Sequence, residues 1–175
     1  MKNFDLGITY NEYLSLADVE QRGIIDRLNE QSQLINKGLD KLRSIENKLN
    51  ILVFGEPCCK DAATEIPFLL KLSELNKNIE VKFLRREGNE ELLEELSGER
   101  KVPTFLILNE KGNTVRKYIE FPIGVKEILL NTDKEKVQDI IDNMRKGKYN
   151  NLIQEDIIRF LTGEGYRYIN FTKEV

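Results

Sequence analysis

The chain has no histidine among its 175 residues. That absence removes imidazole acid–base catalysis, histidine–metal ligation and any Cys–His or Ser–His dyad. Cysteine is scarce as well: the two present, Cys58 and Cys59, are adjacent. They form no disulfide framework and cannot on their own complete a structural zinc site. No apolar run approaches the roughly 20 residues of a membrane span. Positions 1–5 lack the apolar core of a signal peptide. The sequence therefore predicts a cytoplasmic protein with no membrane partner. A net charge of −3 offers no general attraction to nucleic acid, which is not expected as a partner either. No cofactor is expected. Internal repeats and low-complexity tracts are also missing.

What remains is an ordinary globular balance, 40% hydrophobic and 33% charged. The length suits one domain with a core plus appended elements. Residues 1–10 read as unstructured or as a docking strand. From Asn11 to Asn50 the apolar residues Ile24, Ile25, Leu28, Ile35, Leu39, Leu42, Ile45 and Leu49 recur with helical spacing. Leu28, Ile35, Leu42 and Leu49 are seven apart, but Ser32 and Glu46 spoil the companion register of a coiled coil. Gly23 and Gly38 predict breaks into two or three helices. These either pack over the following domain or offer a homodimer surface.

Further on, the pattern predicts a strand over 50–55 and a helix over 61–77 that Pro67 should kink. A strand over 79–84 and an acidic helix over 89–96, ended by Gly98, come next. A strand over 105–108, a hairpin turn at 109–113 and a return strand over 114–121 follow. Beyond Pro122 the pattern loosens. Thr132 and Glu135 read as a capping box for a helix that buries Val137, Ile140, Ile141 and Met144 and stops at Gly147. Residues 152–161 suggest a last helix before Gly163. Residues 166–171 read as a final strand or a packed tail. The acidic stretch over 87–95 reads as a solvated helix face.

The order implies a parallel β-α-β unit, then a helix, an antiparallel hairpin and a helix. That is an α/β fold, one mixed sheet with helices on both faces. The division expected is 1–49 as a helical N-terminal extension, 50–147 as the sheet domain and 148–175 as a C-terminal helix and tail packed on it.

The chemistry gathers at Gly55-Glu56-Pro57-Cys58-Cys59-Lys60-Asp61-Ala62, between the first core strand and its helix. A thiol at a helix start meets first-turn N–H groups and the positive end of the helix dipole, and Lys60 adds a cation. Both favour thiolate, so Cys59 is expected to be an ionised nucleophile. The blander alternative is a small buried hydrophobe. Cys58 is either a packing residue or a second working thiol. Asp61 serves as a helix-start carboxylate or a proton handler, and its charge opposes thiolate formation. Capture of a soft metal or an arsenical by the paired thiols is a further alternative.

These residues resemble the thioredoxin superfamily over roughly 50–147. The ordered features are Cys59 after the first core strand, Pro67 in the helix, Val102-Pro103-Thr104 before the hairpin and Gly124 after it. Positions 59 and 103, 44 residues apart, agree with that architecture. The motif is similar to the Glu-Pro-Trp-Cys-x-Asp-Cys form of some bacterial members. Laid on it, Cys58 takes the tryptophan position, Cys59 the nucleophile, and Ala62 the second, resolving cysteine. Val53 stands where thioredoxins bury a carboxylate. The resemblance implies a cis-proline loop in which Val102, Pro103 and Thr104, with Lys60 and Gly124, hold substrate near the thiol.

A resolving thiol must attack the enzyme-linked disulfide, and Ala62 cannot. Three routes follow. Cys59 acts alone and an external small thiol resolves it; Cys58 and Cys59 cooperate through a strained vicinal disulfide; or Ala62 was introduced to trap an intermediate. The expected function is therefore monothiol thiol–disulfide exchange on protein or small-thiol disulfides. The rival is a binding module that keeps the fold without redox turnover.

Overall fold

The computed structural model of the chain describes residues 2–170. A four-stranded sheet organises it, in the order β2-β1-β3-β4. The strands are β1 (Leu49–Gly55), β2 (Ile79–Arg85), β3 (Thr104–Leu108) and β4 (Thr114–Ile119). β1 pairs parallel with β2 and antiparallel with β3, and β3 pairs antiparallel with β4. The expected mixed α/β sheet is thus present.

β1 is apolar almost throughout because both its faces are covered. Side chains alternate across a strand. Ile51 and Val53 enter one core cluster, with Phe83, Phe105, Ile107 and Tyr118. Leu52 and Phe54 enter the other, with Phe4, Leu84, Leu93 and Leu106. The first face carries α4 (Lys60–Ser73) and α8 (Asn150–Thr162); the second carries α5 (Glu90–Ser97). Pro67 lies inside α4, where its missing N–H leaves the Ala63 carbonyl without its intrahelical partner.

The N-terminal segment is built from α1 (Tyr10–Ser15), α2 (Val19–Gln31) and α3 (Leu39–Arg43). The seven-residue spacing makes no seam: Ile35 is exposed outside any helix, and Leu49 opens β1. Gly23 does not break α2. It faces solvent, and the Asp18–Gln21 capping box and packing of Ile25 and Leu28 against Ala63 offset its roughly 1 kcal/mol helix penalty. Gly38 does mark a break, with φ of 80° at the start of α3.

These helices share the sheet's core. Tyr13 and Tyr10 have ring centroids 5.2 Å from that of Phe83 on β2, and Leu42 joins the same cluster. Such aromatic pairs contribute about 0.5–1.5 kcal/mol beyond the area they bury. Ile8 bridges Phe83 in antiparallel fashion through two backbone bonds of 2.9 Å, covering part of the β2 edge.

After the hairpin the structure supplies a helix where the pattern loosens and corrects one expectation. The stretch at Pro122 is α6 (Ile123–Leu130), a short helix with no side-chain cap. Thr132 makes no capping box; its hydroxyl donates to the Ile128 carbonyl at the end of α6. A 3-10 turn (Lys134–Lys136) leads into α7 (Val137–Arg145), which buries Val137, Ile141 and Met144. Residues 166–170 form no strand. They are a packed tail, with the Tyr166 hydroxyl donating to the Lys117 carbonyl at 2.6 Å. Phe171, included in that expectation, lies outside the described residues.

Candidate functional site

β1 ends at Gly55, where close packing demands the smallest residue. A Cβ there would stand 2.8 Å from the Tyr13 hydroxyl. The next residues form a turn, the Cys59 N–H donating to the Glu56 carbonyl at 2.9 Å. Glu56 is buried and locks this turn to β2. It accepts from the Arg85 side chain at 3.0 Å and from the Glu87 amide at 2.6 Å. α4 then begins, with Cys59 as its N-cap.

The Cys59 sulfur accepts the Ala62 N–H at 3.5 Å. It lies 3.8 Å from the Val102 carbonyl oxygen, to which a protonated thiol can donate. The Val102–Pro103 peptide bond is cis. Cys59 and the Val102–Pro103 peptide are therefore neighbours in space, although Cys59 and Val102 are 43 positions apart in the sequence. Cys59 is half-buried and Cys58 exposed, both as free thiols.

The thiol's ionisation runs opposite to the expectation from its helix-start position. Burial pushes the Cys59 thiol up to about 11. The Ala62 and Asp61 amides pull it down, but the Asp61 and Glu65 carboxylates push it further up. Lys60 points to solvent, where a cation contributes little. Desolvation wins, and the resting side chain is a thiol at neutral pH.

The remaining expected site residues divide. Val102 and Pro103 face the sulfur's loop as above. Thr104 is fully buried, and its hydroxyl donates to the Lys101 carbonyl at 2.7 Å, so its side chain points inward. Gly124 lies in the first turn of α6, and the direction of its missing Cβ is filled by Leu152 of α8 at 3.1 Å. Ala62 and Val53 are buried, at 1% and 0% exposure, and neither side chain carries a polar group. Among the described residues no group of three or more cysteine, histidine or carboxylate side chains gathers to hold a metal. Among the described residues no helix is long and apolar enough to cross a membrane.

Sequence reasoning missed Tyr13, Glu65 and Arg145. Tyr13 arrives from α1 and forms the wall above Gly55; burial holds its phenol well above the ordinary range. Glu65, fully buried on α4, lies beside the Tyr118 hydroxyl, though neither of its oxygens is in a standard hydrogen bond. Burial holds its carboxyl well above the usual range. Arg145 reaches back from α7 to grip Asp61 with two bonds of 2.8 and 3.0 Å. No local pattern marks these three, because each comes to the site through packing of another element or of the far side of α4.

Residues 7–145 match a protein-family model described as Thioredoxin. No curated protein matches the chain. Among solved structures, a protein of unknown function from Pseudomonas aeruginosa is similar, with a TM-score of 0.74 and 22% identity. The match covers 92% of this chain and 95% of that one. A crystal structure described as an HIV epitope scaffold matches with a TM-score of 0.73 and 21% identity, covering 91% and 95%. At these identities the two structures speak for fold.

Proposed function

The chain belongs to the thioredoxin family, and from that membership we propose that it carries out thiol–disulfide exchange through Cys59 as the single nucleophile. The observation that carries this reading is the sulfur's position at the start of α4, 3.8 Å from the Val102 carbonyl beside Pro103. In the first step Cys59 loses its proton to solvent and its thiolate attacks one sulfur of a substrate disulfide. A Cys59–substrate S–S bond forms, the substrate S–S bond breaks, and the departing thiolate takes up a proton. An external low-molecular-weight thiol then attacks the substrate sulfur, leaving a new disulfide and releasing Cys59.

The raised thiol pKa gives this chemistry a definite character. Few molecules are ionised at neutral pH, so attack is slow. Once joined, Cys59 is a poor leaving group, so the mixed disulfide persists. The substrates are disulfides of proteins or small thiols that tolerate a slow, stable exchange.

A second reading is favoured by the same ionisation together with Ala62 and Val53: a thioredoxin-fold binding module without turnover. Mass spectrometry after incubation with an aromatic disulfide separates the two, using the wild type, Cys58→Ser and Cys59→Ser. Exchange through Cys59 gives an adduct on wild type and Cys58→Ser that is absent from Cys59→Ser and removed by excess glutathione. An adduct that survives Cys59→Ser unchanged, or none at any pH up to 10, favours the binding module.

A further inference from the structure

We propose that Arg145, reaching from α7, is a positioning residue for the Cys59 thiol: its forked ion pair with Asp61 neutralises the carboxylate built into the helix turn beside the sulfur. The inference rests on Cys59 being the working group of the protein.

The pair is well made. Arg145 Nε donates to Asp61 Oδ1 at 2.8 Å and Nη2 to Oδ2 at 3.0 Å. The two side chains are only 15% (Asp61) and 27% (Arg145) exposed. A bidentate, sheltered fork fixes a carboxylate's orientation and is screened less than a surface pair. Each partner also suits its own helix. Asp61 lies in the first turn of α4 and Arg145 in the last turn of α7, where their charges oppose the helix dipoles.

The surroundings of the sulfur show why this charge matters. Tyr13 from α1, Asp61 and Glu65 from α4, and Arg145 from α7 all interact electrostatically with Cys59. Glu56 and Cys58 lie in the turn just before it, and Asp142 touches Arg145 at 3.5 Å. Burial already discourages ionisation of the sulfur, and two carboxylates oppose it further. Lys60, the cation nearest in sequence, is out in solvent. Arg145 is the cation drawn in from a distant element, and it meets the carboxylate two residues from the sulfur. Without it, Asp61 would be a half-buried, uncompensated negative charge beside a thiol that must become negative to react.

A tether between α7 and α4 would be the purely structural role of this pair. It would change stability and leave the sulfur's titration alone. The test is a titration of thiolate ultraviolet absorbance in the full chain carrying Cys58→Ser, with thermal melts alongside. The variants added are Arg145→Met, Arg145→Lys, Asp61→Asn and the Asp61→Asn/Arg145→Met pair. Arg145→Met is expected to move the Cys59 midpoint up by roughly half a unit to one unit, a ~3–10-fold loss of thiolate at fixed pH. Asp61→Asn should move it down, Arg145→Lys should fall between, and the Asp61→Asn/Arg145→Met pair, which removes both charges together, should return the midpoint close to that of the parent.

An unshifted midpoint in Arg145→Met, or a pair variant whose midpoint stays as high as that of Arg145→Met alone, overturns the proposal even if the melts fall. Should Arg145→Met not fold, an unshifted midpoint in Asp61→Asn overturns it equally. Absorbance needs no disulfide substrate, so these outcomes are independent of exchange. A protein that titrates as expected yet forms no mixed disulfide would sink the exchange reading alone.

Discussion

Ala62 donates its backbone N–H to the Cys59 sulfur at 3.5 Å while its own methyl group is buried. A narrow gap of about 10 Å³, lined by Tyr13, Glu56, Pro57 and Ala63 among others, borders that methyl. The arrangement has one thiol in place at a helix start and room pressed tight where a second would go. Because position 62 lies on the same first helical turn as Cys59, Ala62→Cys is expected to create a dithiol whose oxidised form loses both Cys59 and the new thiol from a free-thiol count. Reaction of that variant with a protein disulfide should no longer accumulate the mixed adduct, because the added thiol can resolve it. A variant that keeps all three thiols free under mild oxidant would show that the helix start cannot close.

The exchange rate should climb steeply with pH. Thiolate is the attacking form, and burial raises Cys59 to about 11, so the ionised fraction grows about tenfold for each pH unit below that value. Adduct formation in Cys58→Ser, followed from pH 7 to 10, should rise throughout without reaching a plateau. A plateau near pH 8 would mean that the helix start outweighs desolvation after all.

The same thiol links pH to stability. Its folded pKa lies above the ordinary thiol value of 9.0, so the folded state holds the proton more tightly than the unfolded chain. The stabilisation is complete below pH 9 and is lost as pH rises through about 11. Cys59→Ala should flatten this alkaline decline in chemical denaturation measured across that range.

Asp156 predicts a second, acidic dependence. It is buried on α8, accepts the Ile123 N–H through Oδ2 at 3.1 Å and leaves Oδ1 unpaired. Burial raises its carboxyl from 3.8 to about 6. The folded state binds the extra proton between those values, so this group's stabilisation is present below pH 4 and lost as pH rises through 6. The difference amounts to about 2–3 kcal/mol. Asp156→Asn keeps an acceptor for Ile123 and should remove that slope; an unchanged slope would assign it to another group.

Gly55 should resist substitution for reasons of contact. An added Cβ would meet the Tyr13 hydroxyl at 2.8 Å and Ile66 at 3.5 Å. Gly55→Ala is expected to lose about 1–2 kcal/mol of stability, overpacking offset in part by reduced chain entropy. Tyr13→Phe removes the colliding oxygen and should restore most of the loss in the double variant. Simple additivity of the two changes would rule out this contact as the cause.

Some of the architecture was legible because its signals are local. Ile51 to Phe54 is an apolar run in a strand covered on both faces, and Gly98 takes φ of 83° where the acidic helix stops. Other signals misled for equally physical reasons. α6 has no polar N-cap and is apolar on most sides, so neither a start signal nor a clean amphipathic period marked it. Thr132 and Glu135 have capping-box spacing, but Thr132 belongs to the end of the preceding helix. Gly23 cost too little on an exposed face to break α2.

The amino-acid order alone determined the strand and helix pattern, the lack of imidazole chemistry and the placing of a cysteine at the start of α4. Those properties depend on covalent neighbours and on periodicities that any short window contains. Only the tertiary structure decided how that sulfur behaves. Tyr13, Val102, Glu65 and Arg145 reach it from separate elements or other helix turns, and the water they exclude sets the cost of charging it. Desolvation is a property of everything packed around an atom, and no window of sequence contains it.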